Sequence, residues 1–380
     1  MEEDEYPYPY PWNQHFFDNK NINIPNAQLI QVLEALKQAS QNIQTNPDSP
    51  SIKPLFQLHT ILSTDSNLSQ HLNKLKTVID SLHNSKPTLR SFLTRPLSTH
   101  SISKLASSIQ SELQSWIDRE TIQTLSNTLS NNYNHQHEFI SLLTRFTHRV
   151  SQGFNRELQQ LVLKFKLFSS LESILFDAKC SHLVREHAGF AIAALIRFNK
   201  DVFVGEVLMS PTVQALVSMA SVGSIEVLCS LIRSIRSPIV DEIESNGEIP
   251  NIIVLLTSKD VKLSVLAMEC VLEIGYFGRK EAVEGMLKEG VVEKLVELQR
   301  LEVSELKKEE EQEKCVNGGK MSPFGNCVAK FAVQLEVGEG LRQREKRAFK
   351  AEILVRVREA CVSDAESATI VAEVLWGTSP

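Results

Sequence analysis

The sequence predicts an all-α protein, with an N-terminal helical bundle followed by a right-handed α-solenoid of about five repeated units. Three observations predict it. Apolar residues recur at helical spacing over most of the chain, strand-like alternation is scarce, and a short Gly-led apolar motif returns at a period of roughly 40 residues. At 380 residues the chain is longer than one hydrophobic core organises, which favours two domains or an elongated array. A composition of 42% hydrophobic and 23% charged residues, with a mean hydropathy of -0.13, is that of a globular chain. The formal net charge of -6 argues against broad electrostatic capture of nucleic acid.

Taken in order, residues 1–25 place Pro7, Pro9, Pro11 and Pro25 among polar neighbours and bury too little apolar surface to offset chain entropy. They are expected to be a disordered tail. The opening MEEDEYPYPYPW has neither a basic nor an apolar signal region, so no secretory signal is expected. Residues 26–135 carry apolar stripes at helical spacing: Leu29, Val32, Leu33, Leu36 and Ile43; Leu55, Leu58, Ile61 and Leu62; Leu72, Leu75, Ile79 and Leu82; then Ile102, Leu105, Ile109, Leu113 and Ile117. The residues between them are mostly Ser, Asn, Gln and Thr, which predicts a polar-surfaced bundle. Charge density then rises, from 12 basic and 13 acidic residues before position 151 to 28 and 33 after it.

Residues 136–380 contain the repeat. Gly247 leads Ile249, Ile252, Ile253 and Leu255, and Gly290 leads Val292, Leu295, Val296 and Leu298, with matching offsets. Less regular copies start at Pro211 (Val213, Leu216, Val217, Met219) and near Lys166 (Phe168, Leu171, Ile174). Taking Leu171, Leu216, Ile252 and Leu295 as equivalents gives spacings of 45, 36 and 43 residues, the period of two- or three-helix solenoid units. A longer helix follows each motif, mixing small and large residues as in Glu186, Ala188, Ala191, Ile192 and Leu195. Ala267, Cys270, Val271 and Ile274 repeat this pattern; Leu228, Leu231, Ile232 and Ile235 form a poorer copy. After Arg300 a charged, glycine-containing insertion at 302–321 is expected as a solvated loop or frayed helix extension, and the array resumes at Cys327, Val328, Phe331, Ala332 and Leu335. Leu341 to Ala360 and Ala368 to Trp376 supply the last two helices.

The longer helix at Glu186–Leu195 resembles the third helix of an armadillo repeat, whose pattern runs Glu-x-Ala-Ala-x-Ala-Leu-x-Asn-Leu. Glu186, Ala188, Ala191, Ile192 and Leu195 match it. The closing Val374-Leu-Trp376 is similar to the end of the armadillo array in plant U-box E3 ubiquitin ligases, whose N-terminal extensions are also polar helical bundles. The Ile-Pro-x-x-Phe-x-Cys-Pro-Ile opening of a U-box is absent, and Asn131 to Glu138 leaves no room for one. The chain thus resembles a plant armadillo-repeat protein lacking the U-box. That resemblance implies partner binding along the concave face lined by third helices, and raises the prospect of recruiting substrates to ubiquitin ligation.

Motifs of chemistry are sparse. Gly318-Gly319 and Gly338-x-Gly340 lack the strand and third glycine of a phosphate loop and read as turns. His135-x-His137 would splay on a helix with no third ligand nearby, and His182 and His187 read as packing residues, so no metal is expected. Six scattered cysteines without a CxxC pair suit a reduced, cytoplasmic protein that is also compatible with the nucleus. No hydrolase elbow or HExxH is present, so a non-enzyme without cofactors is expected.

The expected function is therefore a monomeric protein-binding scaffold that takes an extended partner segment. The candidate groove residues are Arg185, Asn199, Arg233, Glu269, Glu273, Lys330 and Gln334. In nuclear-import adaptors of this superfamily a Trp and Asn array grips basic cargo; here the Asn slot is read as Ala194, Ser234, Glu273 and Gln334, which does not support that type of cargo. Two alternatives stand beside the scaffold reading. One is the U-box-less recruiting role; the other is a membrane-surface or vesicle adaptor using the basic helix with Arg342, Arg344, Lys346, Arg347 and Lys350. No nucleic-acid partner and no transmembrane segment are expected.

Overall fold

The computed structural model describes residues 26–45, 70, 73–74, 76–77, 89–130, 136–312 and 323–376. Among the described residues all regular structure is helical, and the 17 helices whose bounds are described are numbered α1 to α17. The tail at 1–25, the stripes at Leu55–Leu62 and Leu72–Leu82, and residues 313–321 of the insertion lie outside the described residues. The chain divides into two compact units between Thr124 and Leu125.

In the first unit, α1 (Asn26–Thr45) buries Ile30, Leu33, Leu36 and Ala39, while α2 (Leu89–Ser130) buries Ala106, Ile109, Leu113 and Ile117. The spacing of three and four residues puts each set on one helix face. Buried Ser40 donates its hydroxyl to the Ala106 carbonyl at 2.7 Å, and Lys37 bonds Gln114, so the two faces meet in a fixed register. The helix expected around Ile102–Ile117 is longer than its stripe: α2 runs 42 residues and continues past Leu125.

The second unit is an array of three-helix modules. A long helix, α3 (Gln136–Ser151), opens it. Four complete modules follow: α4 (Arg156–Lys164), α5 (Leu167–Phe176), α6 (His182–Phe198); α7 (Lys200–Met209), α8 (Thr212–Met219), α9 (Val222–Ile235); α10 (Ser237–Ser245), α11 (Ile249–Leu255), α12 (Val261–Phe277); and α13 (Lys280–Lys288), α14 (Val291–Gln312), α15 (Cys327–Val337). Two helices close the array, α16 (Gln343–Ala360) and α17 (Asp364–Trp376). Each third helix packs on its equivalents, so α3, α6, α9, α12, α15 and α17 form one continuous ladder. The fifth unit is thus a two-helix closing module, with α16 packed on both α14 and α15.

Local chemistry explains the module. Gly247 and Gly290, the residues that led the repeat motif, take φ of +71° and +75°, a left-handed turn between first and second helices that a Cβ disfavours. Lys166 takes the same turn at φ +49° without glycine. The four residues taken as equivalent, Leu171, Leu216, Ile252 and Leu295, are all fully buried on second helices. Third helices start at side-chain caps: Ser181 accepts from Val184 N–H, Ser221 from Ser224 N–H, and Asp260 from Lys262 N–H. Their ends are tied by side chains: within their modules Lys200 Nζ of α7 donates to Ile235 O at 3.3 Å and Ser237 of α10 to Phe277 O at 2.7 Å, and Lys346 Nζ of α16 donates back to Gly338 O after α15 at 2.7 Å.

Gly338-x-Gly340 is a turn of close backbone approach. The N–H groups of Glu339 and Gly340 both donate to Tyr276 O, and a Cβ on Gly340 would lie 2.0 Å from Gly278 O. Two expectations need sharpening. Of the two forms expected for the charged stretch after Arg300, its start takes the helix extension: α14 continues as far as Gln312, because nothing in its composition breaks a helix before the glycines. In the closing Val-Leu-Trp only Val374 is buried; Leu375 and Trp376 are 47% and 82% exposed. At one module junction Glu172 is buried beside Ser210 and Thr212, and burial raises its pKa.

Candidate functional site

The ladder of third helices has neighbours along both flanks and short helices behind it, which leaves one side open. At its centre, Arg233 of α9 reaches across to α12. Its Nε lies 2.7 Å from Glu273 Oε1 and its Nη2 lies 3.1 Å from Glu269 Oε2. The two carboxylates are four residues apart and so share a helix face. Side-chain exposures of 52%, 42% and 23% for Arg233, Glu269 and Glu273 keep all three in contact with solvent, so the network marks the open face and adds little stability. The hydrogen bond to Glu273 is the main cause holding the Arg233 pKa above its usual value. Lys330 and Gln334 lie half-buried on α15, four residues apart on the next rung. Tyr276, three residues beyond Glu273, adds an aromatic ring to the face, which the sequence reading missed. Its signal was there: the Asn slot plus one helical step.

Beneath this network lie Cys229 and Cys270 on adjacent rungs, both buried. The Cys229 thiol and burial push the Cys270 pKa well above its ordinary value, so the Cys270 thiol is not primed as a nucleophile. Among the described residues no group of three or more His, Cys, Asp or Glu is placed to hold a metal ion. His137 and His182 are exposed, and His187 is half-buried with Nδ1 3.4 Å from the Thr144 hydroxyl. No single described helix is long and apolar enough to cross a membrane.

Of the seven expected groove residues, Arg233, Glu269 and Glu273 are in contact, and Lys330 and Gln334 lie on the neighbouring helix α15. Two stand apart. Arg185 donates from Nε to Leu175 O at 2.9 Å and lines a cavity with residues of second helices. Asn199 sits at the corner between α6 and α7, where its amide donates to Gln159 at 2.7 Å across one module. Counted from the capping residues Ser181, Ser221 and Asp260, Ala194, Ser234 and Glu273 occupy the same position on their helices, and α9, with 14 residues against 17 in α6 and α12, is shorter at its C-terminal end.

The basic helix is not one free patch. Lys346 caps the Gly338 carbonyl and Lys350 pairs with Glu336 at 2.7 Å, while Arg342, Arg344 and Arg347 are exposed.

No protein-family profile matches the chain, and no curated protein matches it. Solved structures do. A designed armadillo repeat protein aligns over 67% of this chain and 99% of its own, at 16% identity and a TM-score of 0.44. Computationally designed armadillo repeat proteins for modular peptide recognition align over 67% and 98%, at 16% identity and 0.43. An engineered protein aligns over 93% of this chain at 13% identity and 0.29.

Proposed function

We propose that this chain is a non-enzymatic interaction scaffold that holds an extended segment of a partner protein along the open face of its third helices. The observation that carries this reading is the ladder itself. Six long helices run side by side with one side uncovered, and across its middle rungs stands a row of solvent-facing polar and charged side chains from Arg233 to Gln334. A surface built this way repeats at the module spacing and suits a long, thin occupant rather than a compact substrate. The Arg233, Glu269 and Glu273 network supplies both charge signs within one helix turn, so a partner engages it by exchanging ion pairs at the rim of a polar groove.

The test is affinity capture with the full chain, followed by measured binding of the captured partner to Glu269→Lys/Glu273→Lys. Loss of about tenfold or more in affinity, with an unchanged melting temperature, is the expected result. Unchanged affinity would move the binding site off this face.

A further inference from the structure

Helix α16 carries a surface that the third-helix face does not use. It packs on α14, α15 and α17 and is not itself a rung of the ladder. Phe349, Ile353 and Val357 form its buried side. Arg344, Arg347, Ala351, Val355 and Arg358 are exposed and follow one another at three or four residues, so they make one outward stripe about 21 Å long.

The cations of α16 divide into two sets. Lys346 is spent on Gly338 O, Lys350 on Glu336, and Arg356 on Glu352 and Glu293. Among the described residues, Arg344, Arg347 and Arg358 have no ion pair and no hydrogen-bond acceptor for their guanidinium groups. Glu359, at the edge of the stripe, is the one carboxylate exposed on this helix. In a chain of formal charge -6, three unpaired guanidinium groups in line are a local excess of positive charge, so the occupant is an anion.

Two observations select a lipid surface over a protein segment. The stripe has little relief, because only Ala348, Ala351 and Val355 stand between its arginines on the exposed side. Protein partners are anchored by side chains seated in pockets, whereas an anionic bilayer is held by summed charge. Apolar tips also stand in water on the same closing module: Val355 is 49% exposed, Val362 80%, and Trp376 follows at the end of α17. Trp side chains settle at the headgroup level of a bilayer.

We propose that the closing module docks on a membrane surface rich in anionic phospholipid, with Arg344, Arg347 and Arg358 against the headgroups. The stripe lies on a different helix from the Arg233, Glu269 and Glu273 network.

The test is flotation of the full chain with vesicles of phosphatidylcholine alone and of phosphatidylcholine mixed with phosphatidylserine. The chain should float with the mixed vesicles, come off as salt rises, and stay behind with phosphatidylcholine alone. A basic residue at an anionic surface is worth about fivefold in affinity, so Arg344→Glu/Arg347→Glu/Arg358→Glu should lose roughly a hundredfold or more at an unchanged melting temperature. Lys259→Glu/Lys262→Glu/Lys288→Glu makes the same change of net charge at exposed positions elsewhere on the array and should float much as the parent does. If the arginine variant melts lower than the parent, Arg347→Gln alone should still cost about fivefold. Three results would overturn the proposal: no flotation with phosphatidylserine, equal losses in the two triple variants, or tighter binding of a polyglutamate peptide than of the vesicles, lost on the arginine variant, which would assign the stripe to an acidic protein segment.

Discussion

At the scale of single residues, the glycines separate two kinds of constraint. Gly247 has open space where a Cβ would go, so its constraint is the left-handed φ alone. Gly340 has the opposite problem, with Gly278 O only 2.0 Å from the site of a Cβ. Gly247→Ala should therefore cost about 1–2 kcal/mol in a urea unfolding experiment. Gly340→Ala should cost more, because two backbone segments must move apart; equal costs would mean that the Gly338–Gly340 turn is not held against Tyr276. The sequence made Gly247 and Gly290 visible because their apolar followers repeat in step. It hid the assignment of Arg185, since a long side chain at a helix start can reach a neighbouring helix end as easily as a groove.

At the scale of elements, the closing helix α17, which packs on α15 and α16, is also tied by a polar cluster around Arg300. Arg300 of α14 lies 2.7 Å from Glu366 through Nε and donates from Nη2 to Ala360 O at 2.9 Å, joining three helices. Glu366 also accepts from Val362 N–H at 2.9 Å. The hydrogen bond from Arg300 is the largest cause holding the Glu366 carboxyl below its usual pKa. A carboxyl whose pKa is lowered by folding stabilises the fold above the unfolded carboxylate range, and that contribution fades as pH falls through the folded pKa. Arg300→Ala should cost about 1–2 kcal/mol at neutral pH and flatten the acid limb of the stability curve. Hydrogen exchange localises the effect: faster exchange confined to α16 and α17 is expected, and a uniform change through the array would refute the joining role given to Arg300. Element order was legible because each module alternates short and long apolar stripes. The pairing of α9 with α12 was not, since only packing brings Arg233 within reach of Glu269 and Glu273.

At the scale of the whole molecule, periodicity carried most of the reading. A chain whose modules touch mainly their neighbours repeats its turn glycines and buried leucines whatever its exposed residues do. The open face is less legible for the same reason, because exposed positions are free to differ from module to module. The structure brings together Arg233, Glu269 and Glu273 from two modules 36 and 40 residues apart in sequence, a pairing that spacing alone suggests and only packing establishes. The central claim is that a partner lies on this face. Its most direct test places a photo-activated cross-linking residue at Gln334, on the ladder, or at Met209, which is 92% exposed on a first helix, and irradiates each full-length protein in native extract. The account predicts a discrete protein adduct from position 334 that position 209 does not give. The same adducts from both positions, or none from position 334 while position 209 cross-links, would contradict it.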